Sequence, residues 1–217
     1  MNFKSISEIE KNYDLIGCGT TAQIYKYDIL TALKIFYLNL SAFDEDRFNI
    51  LSRIKTDYFA FPTENIYIKN RLKGHTMLLK TGISFANLSD NILIDNLLDA
   101  LKKLERDIFI LSENNIRILD LHKENIMYDS NKNVISVIDT SEYAYLYNDK
   151  ETLRIYNILS IAYIILNYLS LNYEAKNILT IDDIINEIEN KIYNLEEFYK
   201  TDINKVEDIK KLKKIIK

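Results

Sequence analysis

The hydrophobic period of this chain changes near Leu88, and the change limits the folds open to it. Upstream, "YDLIGCG", "AQIYKYD" and "TALKIFYL" are short β-branched and aromatic runs separated by turn residues, the pattern of three strands. A helix is expected over 44–55, with Phe48, Leu51 and Ile54 at helical spacing. Pro62 then breaks the chain, and "ENIYIKN" and "GHTMLLK" read as two further strands joined by a tight turn. Downstream, Ser89 stands as an N-cap before a long amphipathic stripe. Residues 117–140, "RILDLHKENIMYDSNKNVISVIDT", read as loop, strand, turn, strand, and helices are expected at about 150–171, 180–199 and 203–216. A mostly β portion followed by a mostly α portion implies two lobes, 1–80 and 81–217, meeting near residues 80–88.

A length of 217 residues leaves ample core for one large domain or two small lobes. The net charge of -4 gives no general pull toward nucleic acid or anionic membrane, so neither is expected as a partner. A single cysteine, Cys18, excludes an internal disulfide framework and a cysteine-only zinc site, and packing is expected of it. The start, "MNFKSISEIEKNYDL", has no apolar signal core, which points to a cytoplasmic location. The strongest apolar run, "ILSIAYIILNYLSL", is short for a membrane span and is interrupted by Ser160, Asn167 and Ser170; a buried helix is expected. Only four glycines occur, so a backbone reason is expected where one stands.

Several short patterns carry chemistry. In "LIGCGTTAQIYKY", Gly17 and Gly19 lie between two strands, with Ala22 three further on. Such a turn is either a plain hairpin or a place where backbone N–H groups approach phosphate oxygens. Lys34 sits inside the apolar strand "TALKIF", either as a solvated edge residue or pointing at a bound phosphate. Asp120 and Asn125 lie in "DLHKEN", and Asp139 follows the strand ending "VISVI". Carboxylates beside buried strands are costly unless paired, and the hard oxygens of these three suit Mg²⁺ shared with phosphates. An Asx-rich turn with a solvated hairpin is the plainer account of the same residues. His75 and His122 are too isolated for a metal pair, and a structural role is expected of His75. The tail "NKVEDIKKLKKIIK" is a basic amphipathic helix expected to dock on the helical lobe.

A Gly-rich hairpin, a strand lysine, a loop D-x-x-x-x-N and a strand-terminal Asp, in that order, resemble the protein-kinase-like fold over about residues 13–170. "GCGTTAQIYK" resembles the kinase Gly-rich loop, with Ala22 at its third glycine and Ile24 at its valine. "ALKIF" resembles the strand carrying the phosphate-contacting lysine, and "MLLKTG" the segment joining the lobes, with Met77 at the gatekeeper position. "LDLHKEN" resembles the catalytic loop, and "IDT" the start of the D-F-G segment. "DLH" is closer to the aminoglycoside and choline kinase group and to compact prokaryotic kinases. The fold so implied is α+β and two-lobed: a five-stranded sheet with one helix, a reduced helical lobe, and a catalytic loop at 118–140.

The resemblance implies ATP and Mg²⁺ as cofactors and transfer of a phosphoryl group to a hydroxyl, on a protein Ser/Thr or on a small molecule. A nucleotide-binding pseudokinase serving as scaffold or switch is the alternative of another class. By resemblance Asp120 is the catalytic base, Lys34 grips phosphates, and Asn125 and Asp139 hold the metal. His122 either bonds a γ-phosphate oxygen or braces the loop. Gly17, Gly19, Thr20, Ala22, Ile24, Ala32, Lys34, Met77, Leu78 and Lys80 are the expected nucleotide contacts. The sequence also departs from the pattern. Arg47 stands where a glutamate usually pairs with the lysine, leaving Glu45 or Asp46 as substitutes. No Phe-Gly follows Asp139, no A-P-E segment is visible, and Arg154 occupies the aspartate position of the buried helix.

Overall fold

A computed structural model describes residues 1–88, 92, 94–119, 121–140, 143–145, 149, 150, 153, 154, 156–158, 160, 161 and 164. The chain divides into two compact units, Met1–Thr81 with Val137–Ser141, and Gly82–Ser136 with Glu142–Lys217. The expected N-cap Ser89, Asp120, and the helices at 180–199 and 203–216 fall outside the described residues. Among the described residues no helix is long and apolar enough to cross a membrane.

The first unit is built on a sheet. Its elements are β1 (Asn2–Phe3), α1 (Ile6–Asn12), β2 (Asp14–Cys18), β3 (Ala22–Lys26), β4 (Thr31–Phe36), α2 (Ala42–Leu51), β5 (Pro62–Ile68) and β6 (Arg71–Leu78). The strand order is β1-β5-β6-β4-β3-β2. β1 runs parallel to β5, and the other pairs are antiparallel. Lys69 and Asn70 join β5 to β6 at φ 50° and 61°, the two positive angles of a turn whose twist matches a hairpin. Pro62 opens β5 rather than ending an element; the first position of a strand tolerates its missing N–H.

The sheet has six strands and the unit two helices, where five and one were expected. β1 is two residues long and α1 seven, too short for periodicity to declare them. The Ser5 hydroxyl caps α1 by accepting from the Glu8 N–H at 3.2 Å. Ile9 of α1 is buried with Tyr25, Leu33, Ile35, Ile66 and Ile68, and Met1, Phe3, Ile6 and Tyr13 pack around them. That cluster covers one face of the sheet. At about 1.5–3 kcal/mol per fully buried large apolar side chain, this cover is a principal stabilising element of the unit.

α2 lies on the other face, its Phe48 ring stacked on Phe36 and edge-on to His75 with centroids 4.7 Å apart. It begins earlier than expected because Ser41 and Asp44 form a capping box. With both faces covered, the four central residues of β4 are all buried.

The second unit contains β7 (Ile83–Ser84), α3 (Ile94–Glu113), β8 (Ile116–Ile118), β9 (Ile126–Asp129), β10 (Val134–Val137, whose last residue belongs to the first unit) and β11 (Tyr143–Tyr145). Its sheets are β10-β9-β7 and β11-β8. Leu97, Ala100, Leu104, Ile108 and Leu111 form the buried stripe of α3, at the three- and four-residue spacing of one helix face. The described residues of 153–164 are helical, within the helix expected at 150–171.

Candidate active site

Strand alternation puts Ile24, Ala32, Lys34, His75 and Met77 on one face of the first unit's sheet, because Ile24 pairs with Lys34, Lys34 with His75 and Ala32 with Met77. Ala32, Ala60 and Met77 form a buried apolar cluster there, joined by Ile24, Leu79 and Ile138. A flat apolar surface of this kind suits one face of a heteroaromatic ring. Beside it the backbone of the 78–80 segment is tied in by the Leu79 N–H, which donates to the Leu30 carbonyl at 2.7 Å. Leu78 is partly exposed. The Lys80 ammonium donates to the Asp57 carbonyl at 2.6 Å.

Lys34 lies on the central strand β4 and is buried, which removes the reading of a solvated edge residue. A buried ammonium needs an anionic partner, and Lys34 forms an ion pair with the Asp139 carboxylate. Glu45, one of the two α2 residues expected as that partner, is engaged elsewhere. Arg47 bonds Asp44 at 3.1 Å, and Glu45 accepts from the Tyr67 hydroxyl at 2.5 Å. The Arg47 Nε is buried without a hydrogen-bond partner among the described residues. His75 is fully buried and its pKa falls to about 3, chiefly through burial and then through the nearby Lys34 charge. It is therefore neutral and structural, and its Nδ1 lies 3.2 Å from the Thr76 carbonyl oxygen.

Asp139 is held in an unusual conformation. Its φ is +54°, a left-handed angle that costs a residue with a Cβ and collects at functional positions. Flanking bonds impose it. On the N-terminal side, the Ala60 N–H donates to the Val137 carbonyl and the Val137 N–H to the Tyr58 carbonyl, both at 2.9 Å. On the other, the Thr140 hydroxyl donates to the Ala60 carbonyl at 2.8 Å.

The glycines divide by what the fold demands of them. A Cβ on Gly74 would meet the Lys34 carbonyl oxygen at 1.9 Å, so close approach of β6 to β4 beside Lys34 requires glycine. Gly82, at φ +122°, is equally bound to its type. At Gly17 and Gly19 a Cβ would meet nothing nearer than 3.5 and 3.7 Å. The chain itself does not need glycine in this hairpin. Thr20 at its tip is exposed, and Ala22 at its far side is buried.

In the second unit His122 and Asn125 share a turn. The Asn125 N–H donates to the His122 carbonyl at 2.9 Å, and the Asn125 side-chain Nδ2 donates to His122 Nε2, also at 2.9 Å. The loop is anchored at Lys123, whose carbonyl accepts from the Ala86 N–H at 3.1 Å. Before the loop, β8 is fixed by Asn157, a fully buried side chain that accepts from the Ile118 N–H at 3.0 Å and donates to the Ile116 carbonyl at 2.9 Å. Arg154 of the same helix, which the resemblance sets at an aspartate position, reaches toward Glu105 at 3.9 Å. A polar residue amid "YNILSIAYII" was the available signal for Asn157, because a buried carboxamide needs partners.

Among the described residues no group of three or more His, Cys, Asp and Glu side chains is placed to hold a metal ion. A carboxylate such as that of Asp139, in the first unit, is the kind of hard donor that Mg²⁺ takes when phosphates supply the rest. The apolar cluster around Ala32 and Met77, with a buried cation beside it, likewise fits a base and its phosphates.

No protein-family model and no curated protein sequence matches the chain. Among solved structures it is similar to the Cydia pomonella granulovirus kinase PK-1, with a TM-score of 0.52 and 14% sequence identity over 77% of this chain and 72% of that one. At that identity the likeness is one of fold: the chain has a protein-kinase-like fold.

Proposed function

We propose that this protein is an ATP- and Mg²⁺-dependent phosphotransferase that moves the γ-phosphoryl group to a hydroxyl, with protein Ser/Thr the first acceptor to test and a small-molecule alcohol the second. The single observation carrying this reading is the ion pair of the buried Lys34 ammonium with the half-exposed Asp139 carboxylate, on a sheet face next to the apolar cluster of Ala32, Met77, Ile24, Leu79 and Ile138. In the reaction, Lys34 exchanges Asp139 for the α- and β-phosphates. Asn125 and Asp139 would hold Mg²⁺, which offsets charge at the transferring group. Asp120 orients the acceptor hydroxyl and takes its proton. Such transfer depends on positioning and electrostatics more than on covalent chemistry, so these side chains carry most of the effect.

A nucleotide-binding scaffold is the second reading, favoured by Arg47 standing where a glutamate would pair with Lys34. Asp120→Asn separates the two. Purified protein is incubated with Mg²⁺ and γ-labelled ATP, and label is followed on the protein itself, on a generic protein acceptor and on a small-molecule extract. A kinase loses on the order of a hundredfold or more in turnover with the variant. ATP binding with no transfer to any acceptor supports the scaffold.

A further inference from the structure

We infer that Arg47 is a second phosphate-binding residue of the first unit, a guanidinium that acts beside the Lys34 ammonium on an anionic ligand. The inference rests on the phosphotransferase reading and deepens it, by giving the site a cation where a pairing glutamate is usual. Lys34, Asp139 and Arg47 all belong to the first unit. Arg47 lies on α2, with its guanidinium carbon 5.9 Å from the centre of the Phe48 ring. That ring is stacked on Phe36, and the Lys34 ammonium is 5.1 Å from the centre of Phe36. His75, edge-on to Phe48 and opposite Lys34 in the strand register, completes the cluster. Burial first, then the Lys34 charge and more weakly that of Arg47, keep His75 neutral, so both cations act on one buried ring.

Two features of Arg47 point to an anionic ligand. Its Nε is buried and has no hydrogen-bond partner among the described residues. Burying a donor of a charged group without an acceptor is costly, and a ligand oxygen would relieve that cost. The second feature is the balance of charge. The carboxylate that pairs with Arg47 is that of Asp44, which also accepts from the Ser41 N–H and hydroxyl in the capping box of α2. A triphosphate carries more negative charge than one ammonium offsets, and guanidinium N–H groups match phosphate oxygens in a fork. The plainer account is that Arg47 only braces α2 through Asp44, three residues back. Such a pair forms on a helix surface and gives no reason to bury Nε.

The test uses the full chain and reads the affinities of adenosine and of ATP by titration calorimetry, at one low salt concentration. The wild type is compared with Arg47→Gln, Arg47→Lys and Arg47→Glu. Adenosine reports on the apolar cluster and the folded state, and ATP adds the phosphates. Arg47→Gln should weaken ATP binding on the order of tenfold, the usual cost of one charge-assisted hydrogen bond, and leave adenosine binding unchanged. Arg47→Lys, which keeps the charge without the fork, should fall between Arg47→Gln and the wild type. Arg47→Glu should weaken ATP binding most, because a carboxylate there repels phosphate. ATP affinity in Arg47→Glu equal to or above that of the wild type would overturn the inference, by showing that the position serves to pair with Lys34. Equal weakening of adenosine and ATP would overturn it as well, by showing that the side chain only holds α2 in place. An equal loss of ATP affinity in Arg47→Lys and Arg47→Glu would do the same, since binding of phosphate depends on the sign of the charge. If the wild-type protein binds neither ligand, the phosphotransferase reading falls, and this inference with it. If the wild type binds ATP and all three variants match it, only the inference falls.

Discussion

The two groups of candidate residues are held by different physics. In the first unit, Ile24, Ala32, Lys34, His75 and Met77 are carried by adjacent strands, and the period of two along each strand decides which side chains share a face. In the second, His122 and Asn125 sit on a loop held by a few hydrogen bonds from Ala86 and the two residues themselves, after a strand that Asn157 fixes. A sheet spreads positioning over many backbone bonds, whereas a loop concentrates it in a few polar side chains. Substitutions should therefore cost stability in the first unit where they disturb strand spacing, and in the second where they orphan a buried polar atom.

The sharpest break of that contrast is at Gly74. A Cβ there meets backbone at 1.9 Å, so Gly74→Ala must push β6 from β4. The expected loss is about 3 kcal/mol or more, read from urea unfolding. A loss below ~1 kcal/mol would mean that the pairing beside Lys34 is looser than the register implies. On the loop side, Asn157→Leu leaves the Ile118 N–H and the Ile116 carbonyl without this partner in the core. It should cost about 2–4 kcal/mol, because each buried unsatisfied group costs about 1–3 kcal/mol.

How far the sequence revealed this architecture follows the same division. The strands from β2 to β6 were legible because their apolar and turn residues alternate at strand period, and α3 because its apolar residues recur every three or four positions. Lys34 was ambiguous because a single strand does not disclose its neighbours. Only the strand order, with β4 between β6 and β3, makes it a buried cation. β1 and α1 were missed for want of length. The pairing of Lys34 with Asp139 joins residues 105 positions apart, and no local pattern encodes it. Asn157 was missed for a related reason, since its partners lie about forty residues upstream.

His75 sharpens the comparison further. Its folded pKa, about 3, lies below the ordinary value of 6.5, so the unfolded chain binds a proton that the folded chain refuses. Stability from this group is present above pH 6.5 and is lost as the pH falls from 6.5 toward 3. The slope approaches about 1.4 kcal/mol per pH unit in the middle of that window. His75→Phe should flatten the unfolding free energy across it, and an unchanged slope would mean the histidine is not the group responsible. The smallest effect is expected at Tyr67→Phe, which removes the hydroxyl bond to Glu45. About 1 kcal/mol should be lost, with label transfer unchanged, because Glu45 faces Tyr67 and not Lys34. Reduced transfer in that variant would return Glu45 to the set of residues that influence Lys34.

The central claim is that Lys34 and Asp139 form a nucleotide-phosphate and metal site on the sheet face beside Ala32 and Met77. Titration calorimetry of ATP into the wild-type protein and into Asp139→Asn, each with and without Mg²⁺, tests it most directly. The account predicts that Mg²⁺ tightens ATP binding severalfold in the wild type and leaves the variant unchanged. Absence of ATP binding to the wild type, or Mg²⁺ enhancement that survives in Asp139→Asn, would contradict it.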